Sequence, residues 1–288
     1  MKKKVVFIGN RPKVLEKLVL NNNIEIIKAF IIEQPLIKDS DKLIIERIPA
    51  KGYKKELTDF LKSNKYDICV SAGCSYILPR SELPSDSLFI NCHPSVLPLG
   101  KGIHPLNECF LSGNNLAGAT IHLLVDKLDA GDILKQEKFE LTDDIDLSLL
   151  YGFIFDLEAE LLDDTIYSLL QNNMQYVASP QTGKGTYYSR EKEKRLFIAE
   201  DINVNEFINN TRAFSSSNLG VYLVTNSHRF LVFSSEKLVN KFLIERYSSV
   251  KSGMVLFQTN ERVLVKVKDG IIKLTSFKNI IESKYNGC

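Results

Sequence analysis

The chain has 288 residues, 44% of them hydrophobic, and carries 37 basic against 35 acidic side chains for a formal net charge of +2. That length can bury a substantial core as one large domain or as a larger and a smaller one, and the near balance of charge offers no global field for a nucleic acid. No apolar run approaches 18 residues, and Lys2–Lys4 leads directly into VVFIG without a signal-peptide apolar region, so neither membrane insertion nor secretion is expected and the protein is read as cytoplasmic.

Lys4–Gly9 and Ile24–Glu33 are apolar runs rich in Val and Ile, expected as buried β-strands, with helical spacing at Val14–Leu20 between them. Lys42–Ile48 is a further candidate strand, Lys54–Lys62 carries Leu57, Phe60 and Leu61 at helical spacing, and Asp67–Ser71 is another buried strand. This alternation predicts a parallel, helix-covered sheet. The lone Gly9 after the first strand is not a GxGxxG fingerprint, which argues against a nicotinamide or flavin dehydrogenase.

The next apolar run ends in FINCH, and the one-residue spacing of Asn91 and His93 points both side chains to one face of a strand. They fall near a strand's carboxyl end, where ligands collect in open parallel sheets. Cys92, between them, should face the other way and pack. A second apolar strand, GATIHLLV, leads to an LDAGD turn, where Asp129 can orient an imidazole or accept a proton. His122 on that strand is read as a packed histidine, His104 as the start of a helix, and His228 as a hairpin residue, none of them with a catalytic role.

Asp146–Leu170 is a long helical pattern whose expected apolar stripe is Leu149, Leu150, Phe153, Leu157, Leu161 and Ile166. Asn172–Lys194 has the composition of a linker or ligand loop. Val204–Phe214 is expected to be a helix, followed by short strands at Val221–Thr225, Arg229–Phe233, Val255–Gln258, Arg262–Val267 and Ile271–Phe277 with turn residues between them, the pattern of a small barrel. The five cysteines form no CxxC pair and are read as reduced thiols, and no metal is expected.

The ordered set N-x-H-P-S-x-L-P, a Gly-containing loop ending at Pro105, GATIH and LDAGD resembles the folate-dependent formyltransferases, as do SPQTGKGTYYSR at 179–190, RAFSSSNLGVYL at 212–223 and SGMVL at 252–256. The resemblance covers most of the chain. It implies an α/β fold, a Rossmann-like, mainly parallel catalytic sheet over residues 1–190 with a smaller OB-like domain over 191–288. It implies Asn91, His93 and Asp129 as the catalytic trio and N10-formyltetrahydrofolate as co-substrate. It also implies that the pterin lies against the Gly73–Pro79 loop, with Tyr76, Ile77, Leu78 and Asp126 around it. His93 can take the proton of the acceptor amine or, protonated, share the oxyanion; the sequence leaves both open.

Within that family the absence of Trp, the LGKG loop and the GTYYSR segment most resemble the nucleotide-sugar branch. The implied substrate is a dTDP-linked aminodideoxyhexose destined for surface polysaccharide, with its amine on carbon 3 or 4. Arg11, Arg190 and Arg212 are candidates for the pyrophosphate and Tyr187 and Tyr188 for the base or sugar. A homodimer, no nucleic acid and no membrane complete the expected partners. The alternatives are a methionyl-tRNA formyltransferase and, in another class, a non-catalytic folate or nucleotide-sugar binding protein.

Overall fold

A computed structural model of the protein describes residues 2–33, 43–113, 115–188, 194–215 and 219–280. In chain order the elements are β1 (Lys3–Gly9), α1 (Pro12–Leu20), β2 (Ile24–Ile32), β3 (Ile45–Ile48), α2 (Lys54–Ser63), β4 (Ile68–Ala72), β5 (Leu88–His93), β6 (Lys101–Gly102), α3 (Pro105–Leu111), β7 (Leu116–Leu123), β8 (Ile133–Glu140) and α4 (Leu147–Gln171). There follow β9 (Tyr187–Tyr188), β10 (Leu196–Ile198), α5 (Val204–Ala213), β11 (Val221–Val224), β12 (Arg229–Lys237), α6 (Lys241–Arg246), β13 (Val255–Gln258), β14 (Val263–Val267) and β15 (Gly270–Asn279). Among the described residues no helix is long and apolar enough to cross a membrane.

The chain divides into two compact units, the first made of residues 1–105, 116–140 and 151–188, the second of residues 106–115, 141–150 and 189–288. The first is built on a seven-stranded sheet in the order β3-β2-β1-β4-β5-β7-β8. The five strands β3 to β5 pair parallel, as the alternation of strand and helix predicts, while β7 and β8 are added antiparallel. Val5, Val6, Phe7 and Ile8 of β1 are all fully buried, as a central strand covered on both faces requires. One side of the sheet packs Val6, Ile8, Phe30, Ile32, Cys69 and Phe89 against Leu57 and Leu61 of α2 and Leu78 of the loop after β4.

Residues Leu150, Ile154, Leu157, Leu161, Leu162, Ile166 and Leu169 of α4 are buried, whereas Leu149 and Phe153 of the expected stripe are more than half exposed. The apolar face is therefore rotated from the one read in the sequence. Phe153 instead lies edge-on to Phe139 of β8, with ring centroids 5.2 Å apart. Asp146 caps α4, its Oδ1 accepting from the Leu149 amide at 2.9 Å.

In the second unit β10 to β15 form a curled six-stranded sheet in the order β10-β11-β12-β15-β14-β13, antiparallel except for the β10–β11 pair. The expected smaller β domain is thus present. Its sequence reading lacked the edge strand β10 and the six-residue α6, which Asn240 caps. α5 lies against β12, where Ser235 Oγ donates to Thr211 Oγ1 at 3.1 Å.

Candidate active site

Asn91 and His93 stand two residues apart at the carboxyl end of β5, and β7 runs antiparallel beside them with Asn91 opposite His122 and His93 opposite Thr120. Period-two alternation therefore brings three polar side chains, Asn91, His93 and His122, to one edge of the sheet. Asp129 reaches the same place from the turn after β7. His93, His122 and Asp129 are 5%, 2% and 8% exposed.

The turn that carries Asp129 is locked in several ways. Asp129 adopts a left-handed φ of 48°, a conformation that Asp tolerates better than most residues. Gln181 Nε2 donates to the carbonyls of Asp129 at 3.0 Å and Gly131 at 2.8 Å. Gly131 passes so close to β7 that a Cβ there would lie 1.7 Å from the Leu123 carbonyl oxygen. Gln181 lies in the segment read as a linker or ligand loop and, within SPQTGKGTYYSR, as part of the family resemblance, but its hold on this turn is not revealed by the sequence.

A single loop fixes the other ends of the cluster. The Gly102 amide donates to Asp129 Oδ2 at 2.8 Å, and the Gly100 carbonyl lies 2.8 Å from His93 Nε2. A ring nitrogen that close to a carbonyl oxygen must carry hydrogen, so in neutral His93 the lone pair is on Nδ1. That atom faces Asp129 Oδ1 across 3.7 Å. The loop itself is held by the parallel pairing of β6 with β9, by the Lys101 amide donating to the Thr186 carbonyl at 3.0 Å, and by the Gly100 amide donating to Thr186 Oγ1 at 2.8 Å.

His122 is the member the sequence reading set aside. Its Nδ1 is 2.8 Å from the Leu123 carbonyl, and its Nε2 is 3.0 Å from Asn91 Nδ2 and 3.8 Å from Asp129 Oδ1. Burial first, then the proximity of His93, pushes its pKa down to about 4, against the opposing pull of the Leu123 carbonyl and Asp129; Lys101 lowers it further. On the other side of Asn91, Ser71 Oγ at the end of β4 donates to Oδ1 at 2.8 Å.

Arg11, just past β1, is held by Glu158 of α4 through Nε at 3.1 Å, by Asn10 Oδ1, and by the Phe155 ring 3.9 Å from its guanidinium carbon. Glu158 is fully buried, its second oxygen Oε1 has no hydrogen-bond partner among the described residues, and burial raises its pKa against the influence of Arg11 and His93. Gly73 abuts this group, since a Cβ there would meet Asn10 Oδ1 at 2.0 Å. Of the residues expected around the pterin, Leu78 is buried and Ile77 is 55% exposed. Tyr76 accepts at its hydroxyl from the Tyr53 amide and donates to the Pro49 carbonyl, and Asp126 accepts from the Ser81 amide and hydroxyl at the short 3-10 turn Arg80–Glu82.

Tyr187 is 52% exposed, with its ring against Gly102, and Tyr188 is buried. Lys101, paired with Tyr187 through β6 and β9, makes no ion pair among the described residues, although its charge is felt at His122. Arg212 belongs to the second unit, where its guanidinium donates to the carbonyls of Ile145 and Thr142, pairs with Asp143 at 3.3 Å and covers the Phe110 ring. Arg190 lies outside the described residues.

The formyl transferase family model matches residues 2–166 of the chain. A methionyl-tRNA formyltransferase of Sulfurimonas denitrificans is 27% identical over 292 residues, covering 96% of this chain and 91% of that protein. Among solved structures, an N-formyltransferase of Helicobacter canadensis, in complex with folinic acid and dTDP-3-aminofucose, aligns with a TM-score of 0.72 at 18% identity, covering 96% of this chain and 100% of that one. HypX of Aquifex aeolicus gives a TM-score of 0.67 at 14% identity over 96% of this chain and 46% of HypX, so the chain spans less than half of that protein.

Proposed function

Since the chain belongs to the formyl transferase family, we propose that it transfers a formyl group from N10-formyltetrahydrofolate to the amine of a dTDP-linked aminodideoxyhexose. The convergence of Asn91, His93 and Asp129 at the carboxyl edge of a mainly parallel sheet supports the chemistry. Bound N10-formyltetrahydrofolate supplies an electrophilic formyl carbon. The donor set fits what remains to be done: one amide N–H of Asn91 is left over to meet the developing oxyanion, a contribution of about 2.7–4 kcal/mol to barrier lowering for a well-placed donor. His93 Nδ1 holds the lone pair that takes the amine proton. Asp129 Oδ1, facing that atom, receives the new N–H as the imidazolium forms, and that proton then passes to N10 as the formyl C–N10 bond breaks and tetrahydrofolate leaves.

The sugar acceptor is supported by the wall beside the trio. The short loop through Gly100–Gly102 is clasped by β9; the exposed Tyr187 ring lies against Gly102, whose amide donates to Asp129, and the charge of Lys101 is felt at His122. A cation and a flat surface are what a pyrophosphate and a base require. Arg11, Arg190, Arg212 and Tyr188 remain further candidates for that ligand, and Tyr76, Ile77, Leu78 and Asp126 for the pterin. The end-to-end likeness to a structure holding a dTDP-sugar adds support. The competing acceptor, initiator methionyl-tRNA, is favoured by the curated relatives of nearly equal length. A homodimer belongs to the same proposal and is read by light scattering. Release of tetrahydrofolate that depends on a dTDP-amino sugar tests the proposal, and a binding protein without catalysis would release none.

A further inference from the structure

We propose that His122 is the positioning residue for Asn91, holding the amide so that one of its two Nδ2 hydrogens stays free for the reacting oxygen. The orientation of the amide follows from hydrogen-bond logic. His122 Nδ1, 2.8 Å from the Leu123 carbonyl, must carry the ring hydrogen of the neutral imidazole, which leaves Nε2 as an acceptor. The atom of Asn91 that meets Nε2 at 3.0 Å is therefore the donor Nδ2, and Oδ1 is turned toward the Ser71 hydroxyl that donates to it. Ser71, Asn91, His122 and the Leu123 carbonyl form one directed chain. With both ends pinned, the amide cannot exchange its oxygen and nitrogen without breaking two hydrogen bonds. The depressed basicity of His122 agrees with this role, because a protonated ring would present a hydrogen at Nε2 and reverse the amide. His93 on β5, Asp129 in the turn after β7 and Lys101 on β6 are the charged or titratable groups around it.

The inference rests on Asn91 being the oxyanion donor, and the test separates the two. His122→Asn keeps a donor for the Leu123 carbonyl but is too short to accept from Asn91; His122→Gln places an oxygen near the former Nε2. His122→Asn should lower kcat by about 10–100-fold, the scale of a misplaced catalytic group, with KM for both substrates changed less than about threefold. His122→Gln should recover at least part of that loss. Added to Asn91→Ala, His122→Asn should cost less than about twofold more, because the group it positions is gone. A His122→Asn loss of the same factor in the Asn91→Ala background, or a His122→Gln no faster than His122→Asn, would overturn the positioning role alone. Asn91→Ala with wild-type turnover would overturn the donor reading beneath it. If His122→Asn does not fold, Ser71→Ala releases the other end of the amide and serves in the same cycle with the same expected non-additivity.

Discussion

His93 Nδ1 and Asp129 Oδ1 face each other across 3.7 Å, beyond hydrogen-bond reach yet close enough to become an ion pair once a proton arrives between them. With Nε2 committed to the Gly100 carbonyl, this is where the amine proton should go. If so, the working form of His93 is the unprotonated one, and kcat must rise with pH along its acid limb. The opposite role, an imidazolium donating to the oxyanion, gives a kcat that declines as pH rises. The diagnostic comparison is kcat against pH for wild type and His93→Asn. The acid limb should be present in the first and absent in the second, and a descending wild-type profile would reverse the assignment.

Asn91→Ala removes the proposed donor. kcat should fall on the order of 10²–10³-fold, while the thermal unfolding curve keeps a single cooperative transition. Turnover equal to wild type in a folded variant would mean that another donor meets the oxyanion.

The buried His122 links stability to pH. Its folded pKa of about 4 lies below the unfolded value near 6.5, so the unfolded chain binds the proton more tightly between the two. Its contribution is complete above about pH 6.5 and is lost as pH falls through 4, by on the order of 3 kcal/mol. Urea unfolding of wild type and His122→Gln from pH 7 to pH 4 should converge or cross as the acid penalty of wild type grows. Other acid-sensitive groups, Glu158 included, are common to both proteins and cancel in the difference. A difference in unfolding free energy that is constant across that range would exclude the linkage.

The turn bearing Asp129 has no room for a larger residue at Gly131, where a Cβ would sit 1.7 Å from the Leu123 carbonyl oxygen. Gly131→Ala should cost about 1–3 kcal/mol of stability, in the range of overpacking, and lower kcat by displacing Asp129. Equilibrium unfolding together with kcat checks both. A variant as stable and as active as wild type would show that the turn gives way at no cost.

Asn91 and His93 were legible because strand alternation fixes their common face locally, and Asp129 because its turn follows a recognisable strand. His122 was not, since its partnership with Asn91 depends on the antiparallel register of β5 with β7, which no local pattern encodes. Lys101 joins the wall only because residues 187 and 188 pair with a two-residue strand far away in sequence. Glu158 hides inside the apolar stripe of α4, where a charged residue is read as surface unless its distant partner Arg11 is known. The stripe itself was misplaced at Leu149 and Phe153 because apolar residues occur around much of that helix, and packing, not periodicity, selects the buried ones.

The sugar and tRNA readings part at the acceptor. The protein is incubated with N10-formyltetrahydrofolate and, in parallel, dTDP-3-amino and dTDP-4-amino dideoxyhexoses, their UDP counterparts and initiator methionyl-tRNA, with tetrahydrofolate release and the formylated product followed by mass. Formylation of a dTDP-amino sugar with no product on the tRNA is the expected result. Formylated methionyl-tRNA with every sugar left unmodified would contradict it.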